Sequence, residues 1–272
     1  MATRINHIAI VSDQFALMGT FYAAVFGLQG PSDLKKSAAA ANLTDGYVGL
    51  NINPRKPGRQ AGLDHFGFEV DDLDATLARA RELYPDLDAV KRPSNRPFAA
   101  YSAHDPAGNV FDLSQAGLSN RGGVYAEEHE QSGPSRFSHF MLRTMRHTEV
   151  ASFYQDVLEL KRVEPPRAAG DAVTLTDGTI EIVIVPWTIG HFLGTGIARP
   201  SMDHFGFVVD SLDDFKAELA KRIKANPSLA PRTYEVSPEA NRRVRDMADC
   251  PAGSDYQLAD PDGILLDVRA AA

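Results

Sequence analysis

What this chain lacks sets the first bounds. It has a single cysteine, Cys250, in 272 residues. No disulfide can form within it, and a reducing compartment such as the cytoplasm suits it. No stretch reaches the ~18 consecutive apolar residues of a membrane-spanning helix. The start, Met1-Ala2-Thr3-Arg4, runs straight into a strand-like segment, without the apolar core of a signal peptide. Basic residues are outnumbered: 28 Lys and Arg against 36 Asp and Glu leave a net charge of -8. Nucleic acids and anionic membranes call for clustered Lys and Arg, so neither is expected as a partner. A local basic pocket for an acidic substrate stays open. With 43% apolar and 24% charged residues, the composition is that of a folded globular chain. Its length allows one or two domains.

What the chain does contain is repetition. Arg4-Ile-Asn-His7 returns as Arg136-Phe-Ser-His139, and Phe21-Tyr22 as Phe153-Tyr154. Thr44-Asp45-Gly46 returns as Thr176-Asp177-Gly178, again 132 residues on. Leu63-Asp-His65-Phe-Gly-Phe recurs as Met202-Asp-His204-Phe-Gly-Phe. Asp105-Pro-Ala-Gly-Asn-Val-Phe-Asp112 recurs as Asp260-Pro-Asp-Gly-Ile-Leu-Leu-Asp267. The halves are duplicates, and each half repeats within itself. His7, His65, His139 and His204 all sit early in alternating segments, each after a small polar residue: Asn6, Asp64, Ser138 and Asp203. Each strand leads into a helical pattern, at about residues 14–26, from Asp72 onward, 148–158 and 213–225. Short strands with turn signals follow. The expected fold class is α+β, with four β-α-β-β-β modules paired into two open-sided barrel domains. The polar, glycine-rich segment 119–134 reads as the linker, between a domain of residues 1–118 and one of 135–272.

Strand side chains alternate between faces. Phe66, Phe68 and Val70 share one face and His65 the other; Phe205, Phe207 and Val209 repeat this against His204. Asp112 and Asp267 face away from their apolar neighbours. If that open face forms a cavity, two His and one Asp converge in each half. Two imidazoles and one carboxylate, with positions left open, form the facial arrangement that holds non-haem Fe(II). Zn, Mn or Ni can occupy a similar shell.

This pattern resembles the vicinal-oxygen-chelate superfamily: glyoxalase I, bleomycin-resistance proteins and type I extradiol dioxygenases. The resemblance rests on the four modules, the two Asp-His-Phe-Gly-Phe strands and the Asp-Pro-x-Gly turns leading to an acid. It implies barrels with a divalent metal inside, Fe(II) foremost. Four-module chains are typical of extradiol dioxygenases, which usually keep iron in the C-terminal domain only. The matching metal ligands are His139, His204 and Asp267, with His7, His65 and Asp112 as a second candidate set. The family acid is usually Glu; here both halves have Asp. The resemblance also suggests catalytic roles for His191, as the proton carrier, and for Tyr256, near the acid. Tyr256 stands three residues ahead of the Asp-Pro turn rather than the usual two, and Tyr101 stands identically in the first half. The first half has no counterpart of His191, which points to the second as the active one. A further family His is missing from residues 243–255. Weaker candidates are Arg143 at the pocket wall, Glu181 as a fourth ligand, the Asn95-Arg96 and Asn241-Arg242 pairs, and Cys250.

The expected function is ring cleavage of a catecholic or other vicinal-oxygen small molecule with O2. Two alternatives remain. One is metal-dependent isomerase, epimerase or lyase chemistry; the other is non-catalytic sequestration of a small molecule. A homo-oligomer is compatible with each.

Overall fold

The computed structural model describes residues 3–30, 41–94, 98–118, 130–164, 171–195, 199–232, 238 and 256–271. Most of the expected linker (119–129), both Asn-Arg pairs and Cys250 lie outside them. The first half runs β1 (Thr3–Ser12), α1 (Phe15–Phe26), β2 (Ala41–Thr44), β3 (Gly49–Pro54), β4 (Gly62–Val70), α2 (Leu73–Leu83), β5 (Ala89–Lys91), β6 (Tyr101–His104) and β7 (Val110–Gln115). The second runs β8 (Ser135–Thr144), α3 (His147–Leu158), β9 (Lys161–Arg162), β10 (Val173–Thr176), β11 (Glu181–Pro186), α4 (Ile189–Thr195), β12 (Ser201–Val209), α5 (Leu212–Ala225), β13 (Tyr256–Ala259) and β14 (Leu265–Ala270).

Each half builds one seven-stranded mixed sheet, in the order β2-β3-β1-β4-β7-β6-β5 or β13-β14-β12-β8-β11-β10-β9. Two long antiparallel strands form each centre, β1 with β4 and β8 with β12. Each of these has a parallel partner outside it, β3, β7, β11 or β14. That is the arrangement of two β-α-β-β-β modules joined through their first strands. The fold is α+β as expected, and neither sheet closes into a barrel. In the first and fourth modules the outermost pairing is, among the described residues, a single bridge, Gln29 with Thr44 and Arg232 with Ala259.

Helices α2 and α5 start on side-chain caps. The Asp72 carboxylate accepts the Ala75 N–H and the Ser211 hydroxyl accepts that of Asp214, satisfying amide groups that a helix leaves open at its start. The short helix α4 was not foreseen.

The phenylalanine faces of the two sheets meet. Phe66 of β4 lies 4.8 Å from Phe140 of β8, and Phe26 of α1 stacks on Phe207 of β12 at 4.1 Å. One apolar core therefore spans both halves. Burying each such ring contributes roughly 1.5–3 kcal/mol, so the contact between halves is a large share of the stability. Polar contacts repeat the same symmetry. Tyr22 donates to Asp260 Oδ2 at 2.7 Å and Tyr154 to Asp105 Oδ2 at 2.9 Å. The Ile5 N–H donates to Asp177 and the Phe137 N–H to Asp45. The duplicated Phe-Tyr, Thr-Asp-Gly and Asp-Pro motifs thus hold each half against the other. The histidine faces of the sheets are turned away from this core.

Candidate metal centres

The strands carrying the four histidines do not alternate uniformly. Between β1 and β4, Ile5 pairs with Phe68 and His7 with Gly67, so Asn6 is an extra residue; His65 pairs with Ala9 and Leu63 with Ile10, so Asp64 is another. Between β8 and β12, Ser138 and Asp203 are skipped in the same way. Each is a β-bulge, which re-aims a side chain locally. The sequence reading missed these bulges, although their signal was present. Apolar core residues flank each polar-His pair at a spacing of three, as in Ile5-Asn6-His7-Ile8 and Phe137-Ser138-His139-Phe140, where strict alternation would give two or four.

Each bulge brings the residue before the histidine to that histidine's own ring. Nδ1 lies 2.7 Å from Asn6 Oδ1 in His7, and 2.8 Å from Asp64 Oδ2 in His65, from Ser138 Oγ in His139 and from Asp203 Oδ2 in His204. A carboxylate or amide oxygen only accepts, so it holds the proton on Nδ1 and leaves Nε2 as the ligand atom. Such partners orient metal-binding imidazoles and raise their basicity. Behind the aspartates stand arginines. Arg143 Nε lies 3.4 Å from Asp203 Oδ1, both buried. In the first half Arg59, from the β3–β4 connection, grips both oxygens of Asp64 at 2.6 and 2.7 Å.

The acids arrive on the neighbouring strands. Gly67 pairs with Asp112, and Gly206 with Asp267. His139, His204 and Asp267 offer one ligand atom each, all within 4.8 Å of one another; His7, His65 and Asp112 do the same. The two rings of a set meet edge to face, with centroids 5.5 Å apart in the second half and 5.4 Å in the first. The glycines make room. A Cβ on Gly206 would sit 2.2 Å from His139 Cε1, and one on Gly67 2.1 Å from His7 Cε1.

The second-half set is sealed from water: His139, His204 and Asp267 are at most 1% exposed. Burial holds His139 well below the usual imidazole range, helped by His204 and Arg269. The Nε2 atoms of His139 and His204 are buried without a hydrogen-bond partner. Leaving such groups unsatisfied is costly, and a cation accepting both lone pairs removes that cost. This donor set fits a divalent metal. The first-half set is more open, with His65 at 20% and Asp112 at 12%, and their Nε2 and Oδ2 lie 3.2 Å apart. Burial disfavours a charged His65, but Asp112 and Asp64 outweigh it and push its pKa up to about 9. Burial likewise raises Asp112, yet His65, His7 and Ser102 bring it below the usual carboxylate range.

The walls differ as well. In register with His204 lie Met141, Val183 and Thr174; in register with His65 lie Ala9, Asn51 and Asn42. Met141, Val183 and Val185 make a small apolar cluster of their own. Glu181 is buried and in register with His139, where the first half has Gly49 opposite His7.

The two expected catalytic groups, Tyr256 and His191, come from β13 and α4, outside the strands that carry the histidines and acids of the cluster. Tyr256 pairs with Val268, so it shares the core face and not that of Asp267; its ring packs on Phe215 and under Lys216 of α5. The structure does not bring Tyr256 to the cluster. Gln257 stands opposite Asp267 instead and donates from Nε2 to Oδ1 at 3.4 Å. In the first half Ser102 does this for Asp112. His191 sits on α4, where Nδ1 accepts the Thr188 N–H at 2.8 Å.

The sequence matches one family, the Glyoxalase/Bleomycin resistance protein/Dioxygenase superfamily, over residues 4–113 and 136–268. Among solved structures it resembles the Mn(II)-bound glyoxalase from Novosphingobium aromaticivorans, at 18% identity and a TM-score of 0.65, covering 99% of this chain and 82% of that one. It resembles homoprotocatechuate 2,3-dioxygenase from Arthrobacter globiformis at 16% and 0.65, covering 99% and 80%. It also matches a xylose isomerase-like TIM barrel/4-hydroxyphenylpyruvate dioxygenase fusion protein at 12% and 0.63, spanning 99% of this chain but only 49% of that one. Comparison with curated protein sequences finds no match.

Proposed function

Since the chain belongs to the Glyoxalase/Bleomycin resistance protein/Dioxygenase superfamily, we propose that its second half is an extradiol-type dioxygenase centre for a catecholic or other vicinal-oxygen small molecule. His139, His204 and Asp267 hold a divalent metal, Fe(II) foremost. Bound there, the metal supplies Lewis acidity and, as iron, redox chemistry toward O2. The observation that carries this reading is the pair of buried imidazole Nε2 atoms without hydrogen-bond partners, converging with one carboxylate.

The chain's own groups do the rest. Asp203, braced by Arg143, and Ser138 keep the two rings turned to the site. Met141, Val183 and Val185 offer an apolar wall suited to the flat face of an aromatic ring. His191 serves as the proton carrier: with Nδ1 accepting from Thr188, its neutral form carries the proton on Nε2, the atom that exchanges it with substrate.

Buried Glu181 favours a second reading, a redox-neutral metal-dependent isomerase or lyase. A second carboxylate beside His139, as a fourth protein ligand, would fill a position that oxygen chemistry needs open. Anaerobic purification with metal analysis, followed by oxygen-electrode assays over a catechol panel, separates the two. Dioxygen uptake matched to ring-cleaved product supports the dioxygenase; turnover without uptake supports the isomerase or lyase. A metal-free protein that still binds the catechols tightly and never turns over sinks both.

A further inference from the structure

The first half carries a separately built version of the same centre. We propose that His7, His65 and Asp112 bind a second divalent cation, which exchanges with solution faster than the one in the second half. This goes beyond the function proposed for His139, His204 and Asp267 and does not depend on it.

The geometry of the two sets is closely matched. Their ring separations differ by 0.1 Å and both interplanar angles are 84°. All three first-half ligand atoms lie within 4.8 Å of one another. Each ligand also has its own support: Asn6 for His7, Asp64 for His65, and Ser102 for Asp112. These supports are not copies of those in the second half. Asn6 replaces Ser138, and Ser102 replaces Gln257. The arginine behind the aspartate comes from a loop, as Arg59, instead of from the central strand, as Arg143. Different residues therefore achieve the same orientation of each ring.

The arrangement is also costly for a half that serves only as scaffold. His7 is fully buried, and it fits only because Gly67 stands opposite. A glycine inside a strand weakens it, and apolar residues at both positions would stabilise the sheet more. Two imidazole nitrogens and one carboxylate oxygen suit first-row transition cations over Mg2+ or Ca2+.

The difference between the halves lies in access. His65 is half-buried and the buried Asp112 still shows 12% of its side chain to solvent, where His204 and Asp267 are sealed. Asp64 and Arg59 are at the surface, 25% and 43% exposed. The wall of Ala9, Asn51 and Asn42 is smaller and more polar than that of Met141, Val183 and Thr174. Water and competing chelators reach the first-half ligands more readily, so its ion leaves sooner.

The test uses the full chain, stripped by a chelator and titrated anaerobically with Co(II), with the visible ligand-field bands and calorimetry as readouts. Two equivalents are expected for the unmodified chain. His65→Ala should lose one, and the near-isosteric Asp112→Asn, which guards against misfolding, should lose or strongly weaken the same one. His204→Ala should lose the other. Asp64→Ala should weaken only the first-half equivalent, by about 10–100-fold. On adding excess chelator, release should be biphasic, with the fast phase absent in His65→Ala. One equivalent that survives His65→Ala and vanishes in His204→Ala overturns the proposal. One that vanishes in His65→Ala and survives His204→Ala upholds the first-half site and removes the metal from the function proposed above. Two equivalents released in a single phase overturn the difference in exchange.

Discussion

Gly206 stands opposite His139, so a methyl group there tests how tightly the imidazole is held. With Cβ placed 2.2 Å from the ring, Gly206→Ala forces His139 to turn. The expected result is a folded protein, less stable by about 1–3 kcal/mol as for an overpacked core site, with its second-half metal content largely lost. Metal analysis beside a urea melt checks this; full metal content would show that His139 has slack. Tyr256→Phe should leave metal content and turnover at wild-type level, because that ring faces α5; loss of turnover would return Tyr256 to the active site. That His7, His65, Asp112, His139, His204 and Asp267 gather in two clusters was legible in the sequence, since the repeated strands and the two Asp-Pro turns mark them. The face that Tyr256 takes was not legible, because antiparallel register decides which of two neighbours stands opposite the acid. One residue of difference ahead of the Asp-Pro turn exchanges Tyr256 for Gln257.

At the scale of the strand, the bulge at Ser138 lets Phe137 and His139 point to opposite faces while Ser138 reaches the ring. Deleting Ser138 removes the extra residue, so either Phe137 leaves its packing on Phe205 and Phe207 or His139 leaves the site. The first outcome costs about 3–5 kcal/mol, as for loss of a buried aromatic ring; the second abolishes metal binding. Ser138→Ala keeps the bulge and loses only the oxygen. It should fold normally and lower metal affinity by about 10–100-fold. Denaturation and metal titration of the two variants check the contrast, and a deletion that keeps both stability and metal would deny the bulge its role. Helices α1, α2, α3 and α5 were legible from apolar periodicity, with Asp72 marking the start of α2. The bulges were not, because a rule of strict alternation hides an inserted residue. Helix α4 is only seven residues long and follows Pro186 and Trp187 without an apolar repeat.

For the whole molecule, the two halves are fastened by acids that sit in the seam. Burial pushes Asp260 up to about 6, and Asp105 is raised for the same reason. An unfolded Asp titrates near ~3.9. Between about 4 and 6 the folded chain thus holds a proton on Asp260 that the unfolded chain has released, so this group makes stability fall as pH rises through that window, and Asp105 acts in the same direction. Asp260→Asn keeps an acceptor for the Asp262 and Ile264 amides and removes the titration. The variant should lose less stability than the wild type between pH 4 and 7, as read from urea midpoints; equal losses would mean that Asp260 is ionised throughout.

The reciprocal bonds between Tyr22 and Asp260, and between Tyr154 and Asp105, also bear on what one half would do alone. A fragment of residues 1–118 keeps Tyr22 and Asp105, and keeps Asp45 with the Ile5 amide. It therefore carries both sides of the seam, an isologous surface that two identical copies can satisfy about a two-fold axis. Such a fragment, with Phe26 and Phe66 uncovered, should sediment as a homodimer rather than as a folded monomer. A well-folded monomer would show that the seam is dispensable. The single chain is in this sense a dimer joined end to end, free to let its two copies of one site diverge.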